Sequence, residues 1–263
     1  MSVNIKQVLC ALEQFAPLPL QESWDNAGLQ SGLTEAEVSG ALLCLDVTEA
    51  VVDEAVRRGC NLVVSHHPLL FHGLKQVSDA TDVQRALRRA IKNDVCIVSM
   101  HTNLDNAPGG VNWKMAEKMG LQQVEFFAKK SVGDIDCGSG VTGILPAPLP
   151  AREFIEYVKR TFEAPVAHCN ELLQRPVRMV ALFGGAGDFL LDDAIATGAD
   201  AFITGEMHYH QYFGHEQQIQ ICVIGHYETE HFTAELLRDN ILRACPNVKT
   251  FIAESMNNPI IYM

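Results

Sequence analysis

The chain reads as an α/β protein of two similar α/β domains, produced by an internal duplication, with a cleft between them. Three observations predict this. Short apolar runs alternate with helix-period segments. A stretch of helix, glycine stop and strand recurs: Asp53-Glu-Ala-Val-Arg-Arg-Gly-Cys-Asn-Leu-Val-Val-Ser65 lies over Asp192-Asp-Ala-Ile-Ala-Thr-Gly-Ala-Asp-Ala-Phe-Ile-Thr204, 139 positions on. A second match, 125 positions apart, sets Cys96-Ile-Val-Ser-Met-His101-x-x-x-Asp105 over Ile221-Cys-Val-Ile-Gly-His226-x-x-x-Glu230. Both copies are a strand, then a histidine, then a carboxylate four residues later.

In order, residues 1–15 read as a short amphipathic helix without a signal peptide's apolar core. The loop Trp24-Asp25-Asn26-Ala27-Gly28 can build a site wall, or can be turn chemistry around a packed Trp. Residues 41–46 read as a strand. Thr48 is placed to cap a helix over 49–58 that Gly59 ends. The strand 61–64 delivers His66 and His67, and Pro68 stops it. Strand C-terminal ends are where α/β folds place their sites. Adjacent residues leaving a strand point to opposite sides, which suits two metal ions better than one. The plain alternative is a polar pair on a loop. A helix over 82–92 carries Arg85, Arg88, Arg89 and Lys92, a solvated face or a rim steering anions. The strand 95–100 leads into His101-Thr102-Asn103-Leu104-Asp105, and a helix spans 112–119.

Beyond Gly120 the pattern loosens. Gly and Asp crowd 131–143, and Pro146, Pro148 and Pro150 follow, which puts a domain boundary near residue 127. The second domain reads as a helix over 152–162, strands over 179–183, 201–204 and 219–224, and a helix over 190–197. A helix to about 242 and a strand over 250–253 finish the chain. Gly184-Gly185-Ala186-Gly187 does not fit G-x-G-x-x-G, because Leu190 stands where the last Gly belongs, so a tight turn is the better reading.

A net charge of -12 argues against broad adhesion to nucleic acid or an anionic membrane, and no apolar run reaches the roughly 20 residues of a span. None of the eight cysteines forms a C-x-x-C pair, and several lie in apolar runs. They read as reduced, buried thiols in a cytoplasmic protein.

Facing halves would bring His66, His67, His101, Asp105, Glu206, His208, His226 and Glu230 to one cleft. Imidazole with carboxylate suits Fe, Zn, Mn or Co rather than Ca or Mg alone. Glu206 and His208 occupy the repeat position of the histidine pair and read as cleft-lining relics rather than ligands.

Trp24-Asp25-Asn26-x-Gly28-Leu29, Ser65-His66-His67-Pro68, His101-Thr102-Asn103-Leu104-Asp105, Gly184-Gly185-x-Gly187, Gly205-Glu206 and Gly225-His226-Tyr227-x-Thr229-Glu230 occur in that order. As a set they resemble the NIF-three-like family, labelled GTP cyclohydrolase 1 type 2 or dinuclear metal centre proteins. The resemblance implies two divalent metal ions per chain (Fe, Zn, Mn or Co) and a ring-shaped homo-hexamer. It implies His66, His67, Asp105, His226 and Glu230 as ligands, with Glu230 bridging, and His101 as a group that either supports the ligands from behind or faces the substrate. It also implies that the first domain resumes after the second, giving 1–126 plus 226–263 and an inserted 127–225. Some relatives carry a further inserted domain of about a hundred residues, for which this chain has no room.

Two divalent ions outweigh the two carboxylates, so the core would attract an anionic small molecule, a phosphate or nucleotide. The expected function is a metal-dependent hydrolase, with His101 or Glu228 relaying protons. The competing expectation is a metal-binding adaptor or metal chaperone acting through a protein partner.

Overall fold

In the computed structural model, which describes residues 2–263, Asn4 opens the first helix, α1 (Ile5–Phe15). Its side chain accepts from Gln7 N–H and Gln7 bonds back, a reciprocal capping box that satisfies two otherwise orphaned donors. Next come β1 (Gly28–Ser31), β2 (Ala41–Cys44), α2 (Glu49–Arg57), β3 (Leu62–Ser65), α3 (Asp82–Lys92), β4 (Cys96–Ser99) and α4 (Thr102–Asp105). Thr48 caps α2 by accepting from Val51 N–H, as its position predicts.

A second set follows: α5 (Val111–Lys118), β5 (Gln122–Val132), β6 (Ile135–Leu149), α6 (Ala151–Thr161), β7 (His168–Cys169), β8 (Val177–Leu182), α7 (Leu191–Ala196), β9 (Ala201–Thr204), β10 (Gln220–Val223) and α8 (His226–Glu230). Then α9 (Thr233–Ala244) and β11 (Thr250–Ile252) rejoin the first set.

The chain divides into two units, one running to Ala107 and resuming over His231–Pro259, the other Pro108–Glu230 with Ile260–Met263. The first carries a five-stranded sheet in the order β1-β4-β3-β2-β11. Its strands β2, β3 and β4 are buried along their whole length and pair in parallel; β1 closes one edge antiparallel. Fully buried parallel strands need helices on both faces. Leu42, Cys44, Val63 and Ile97 pack with Val51, Val52 and Ala55 of α2 and with Ala86, Leu87 and Ala90 of α3. Alternate positions turn to the other face, and α9 packs on β2, β11 and α1.

The second unit carries a six-stranded sheet in the order β5-β6-β8-β9-β10-β7. Phe202, Ala181 and Ile221 form its core with Leu190, Leu191 and Ala194. Burying a side chain such as Phe202 contributes about 2–3 kcal/mol.

The duplication is visible in the register. In the first unit Ala41 pairs with Leu62 and Leu43 with Val64; in the second Val180 pairs with Ala201 and Leu182 with Ile203. Each position advances by the same 139 residues as the sequence match. Gly59 and Gly198 end the matching helices at φ +69° and +79°, a left-handed stop that costs a residue with a Cβ far more. The β4 match is one residue out of step: Cys96 pairs with Leu62, but Gln220 rather than Ile221 pairs with Ala201. Gly225, at φ +106°, takes up the extra residue just before His226.

The expected boundary near 127 differs from the division at 107/108. Residue 127 lies inside β5, which pairs with β6 from Gln122↔Ile144 to Val132↔Ile135 across a Gly133-Asp134 turn. The Gly- and Asp-rich stretch is therefore a long hairpin. Helix α5 packs on β6 and β8 and belongs with it. At the other end the division falls after Glu230 rather than before His226, because α8 continues directly from β10. All eight cysteines are free thiols, six of them buried. Among the described residues no helix is long and apolar enough to cross a membrane.

Candidate metal centre

In the first unit the parallel strands β3 and β4 end side by side, and each releases its histidines at its C-terminal end. His66, His67 and His101 gather there, with one donor atom from each within 4.8 Å of the others. Their ring centroids are 5.0 to 5.5 Å apart. His66 is fully buried, while His67 and His101 are partly exposed. His101 stands before the single turn α4, and Asp105, four residues on, closes that turn with its N–H to His101 O. This spacing puts both side chains on one side of the turn. Asp105 Oδ1 lies 3.7 Å from His66 Nε2.

Each ring is held through the same atom. His66 donates Nδ1–H to Met100 O at 2.8 Å, His67 to Asp46 Oδ1 at 2.8 Å, and His101 to Asp25 Oδ1 at 2.7 Å. With Nδ1 engaged, Nε2 is the nitrogen that would ligate a metal. Second-sphere acceptors of this kind fix the tautomer and raise ligand basicity. The Asp25 side chain is fully buried, and burial works to raise its pKa. Hydrogen bonds and charge from His101, with bonds from Thr102 and the Asn26 N–H, outweigh it and bring Asp25 down to about 2.

In the second unit, His226 and Glu230 occupy the single turn α8, the counterpart of α4. His226 Nδ1 is bonded to Glu206 Oε1 at 2.8 Å, and its Nε2 lies 2.9 Å from Glu230 Oε2. The tight turn expected at Gly184–Gly187 runs beside this pair. Gly185 donates its N–H to Thr229 Oγ1 and stands at φ +68°. A Cβ there would clash with Glu230 Oε1 and come within 3.2 Å of His226 Nε2. The turn can pass this close only as glycine. A short 3-10 turn over Asp188–Leu190 follows, and no dinucleotide-type helix N-terminus is formed.

Glu206 therefore acts on His226 as its hydrogen-bond partner. His208 is exposed and bonds Asp188 at 2.6 Å through Nδ1. Glu228 is buried beneath Gly225, and Tyr262 Oη–H donates to it at 3.5 Å. A pocket of about 430 Å³ opens in this unit, lined by His168, Asp188, Glu206, His208, His226 and Tyr262. Asp25 and Glu206 stand in the motifs singled out above, but their pairing with His101 and His226, like that of Asp46 with His67, spans 20 to 76 positions and has no local signal in the sequence.

The donor set fits a transition metal: neutral imidazole and carboxylate, with the thiols elsewhere. The described residues thus include groups able to bind a metal ion.

Known proteins agree with the architecture. The chain is 31% identical over 233 residues to a GTP cyclohydrolase 1 type 2 homolog of Clostridium acetobutylicum, covering 88% of this chain and 86% of that protein. Its fold matches a hypothetical protein of Staphylococcus aureus with a TM-score of 0.91 at 26% identity over all of both chains. It also matches a Bacillus cereus protein related to NIF3 with a TM-score of 0.89 at 24% identity, over all of this chain and 99% of that one. The sequence profile of one family matches residues 3–259, and the chain belongs to that family, Duf34/NIF3 (NGG1p interacting factor 3).

Proposed function

We propose that the chain is a metal-dependent hydrolase in which His66, His67, Asp105, His226 and Glu230 would hold two divalent ions (Fe, Zn, Mn or Co). Its substrate class is a nucleotide or another phosphate-bearing anion. The observation that carries this reading is the clustering of His66, His67 and His101, whose donor atoms lie within 4.8 Å of one another while Met100 O, Asp46 and Asp25 hold the rings from behind through Nδ1. The similarity to the Clostridium acetobutylicum GTP cyclohydrolase 1 type 2 homolog supports a nucleotide substrate.

When bound, such ions polarise a water and a substrate oxygen. The residues of the chain supply the rest. Met100 O, Asp46 and Glu206 orient the ligating rings. His101, held by ionised Asp25, can take or give a proton at Nε2. Glu228, with Tyr262 against it, is the second proton-relay group of this reading. The assembly that goes with it is a homo-hexamer, which light scattering would report as six chain masses.

The test is turnover. Metal-replete protein is incubated with a panel of nucleotides, and formate and phosphate are measured. Release of either from any of them, lost on chelation, is the expected result. No release from protein carrying its metal would favour a metal-binding adaptor or metal chaperone acting through a protein partner.

A further inference from the structure

Two large aromatic side chains stand in solvent beside the histidines of the first unit. Trp24 is 59% exposed and Phe71 40%. Their ring centroids are 5.8 Å apart, and they lie 6.2 and 6.1 Å from the His101 ring. His72 backs Phe71 edge-on at 4.9 Å. A Trp kept only for packing would be covered, and this one is not.

The two rings are nonetheless held in place. Asn26 Nδ2 donates to Leu70 O at 2.7 Å and so ties the Trp24 loop to the Phe71 loop. Gln30, itself buried, binds both: its Oε1 accepts from Leu70 N–H at 3.1 Å, and its Nε2 donates to Asn26 O at 2.6 Å. Asp25, adjacent to Trp24, is fixed by His101 and by Thr102 N–H at 3.0 Å. Exposed and partly buried polar bonds thus fix the backbone on both sides of a pair of exposed aromatic rings that touch each other. Exposed rings on a rigid frame are what a flat heteroaromatic ring stacks on, since every base offers a π-face and little side-chain entropy is lost.

We infer that Trp24 and Phe71 form the stacking platform for the base of a purine nucleotide whose polar end is handled at His66, His67 and His101. The inference rests on the nucleotide-hydrolase reading and names the residues that hold the base. Trp24 acts here as a base-binding residue, without a part in metal binding.

The experiment titrates metal-replete protein with GMP and, separately, with ribose 5-phosphate. Binding is followed by calorimetry and tryptophan fluorescence, and metal content and oligomeric state are measured on the same samples. GMP is expected to quench wild-type fluorescence. Trp24→Ala is expected to bind GMP about tenfold more weakly or worse, in the range that base–aromatic stacking gives. Its ribose 5-phosphate affinity and metal content should not change, and Trp24→Phe should recover most of the GMP affinity. Equal GMP affinity in wild type and Trp24→Ala would overturn the platform. So would an equal loss for both ligands, or a change of oligomeric state in place of a loss of affinity. Trp24-dependent GMP binding by protein devoid of metal would keep the platform and sink the metal reading. Metal-loaded protein whose GMP binding ignores Trp24 would do the reverse.

Discussion

Asp25 and His101, 76 positions apart in the chain, are joined by a 2.7 Å hydrogen bond from Nδ1–H to Oδ1. Asp25 also accepts from both the N–H and the hydroxyl of Thr102, so one buried carboxylate fixes His101, two residues past β4, and the start of α4.

Replacing that carboxylate separates orientation from ligation. Asp25→Asn keeps the volume but removes the charge that favours Nδ1–H on His101. Turnover, measured as formate or phosphate release, should fall about 10–100-fold, the usual cost of losing such a partner. Metal content should stay at the wild-type level. Loss of metal together with activity would instead make His101 a ligand.

Gly185 tests the His226–Glu230 pair of the second unit. In Gly185→Ala the new methyl would clash with Glu230 Oε1, and the residue would sit at φ +68°. Glu230 must then move. Metal affinity is expected to fall about tenfold or more, measured by competition with a chelator, while circular dichroism keeps its wild-type form. An unchanged affinity would remove Glu230 from the ligand set.

Glu54 provides a pH prediction away from the site. Its buried carboxylate binds Arg58 Nε, the N–H groups of Glu254 and Ser255, and the Ser255 hydroxyl. Burial alone would raise its pKa; the bonds from Ser255, Glu254 and Arg58 prevail and lower it from 4.5 to about 2. A carboxylate lowered on folding adds stability that is fully present above its unfolded pKa. That stability is lost as pH falls from about 4.5 towards 2. Glu54→Gln should therefore cost about 2 kcal/mol in urea unfolding at pH 7, and the gap from wild type should close towards pH 2. A gap independent of pH would contradict this.

Much of the fold was legible because the repeat is written in local chemistry. Thr48, Gly59 and Gly198 are cap and stop signals, and the buried runs 62–65 and 201–204 leave no alternative to central strands. The hairpin β5–β6 was not legible, because its Gly, Asp and Pro residues are the ones that also mark loops. What makes it a sheet is pairing with β8, settled by tertiary contact. The same divide holds in the site. His66, His67, His101 and His226 announce themselves at strand ends. Asp46, Glu206 and Asp25 lie 20 or more positions from the rings that they hold, and only the fold brings them there. Arg85 and Arg89 show the bland outcome: they pair with Glu49 and Asp53 on the surface, where such pairs contribute little.

Metal analysis of the purified protein, alongside the His67→Ala and Glu230→Gln variants, tests the central claim most directly. About two transition-metal ions per wild-type chain are expected, about one in His67→Ala, and weak or no retention in Glu230→Gln. A wild-type chain that holds no metal after metal-supplemented expression, or His67→Ala with undiminished metal, would contradict it.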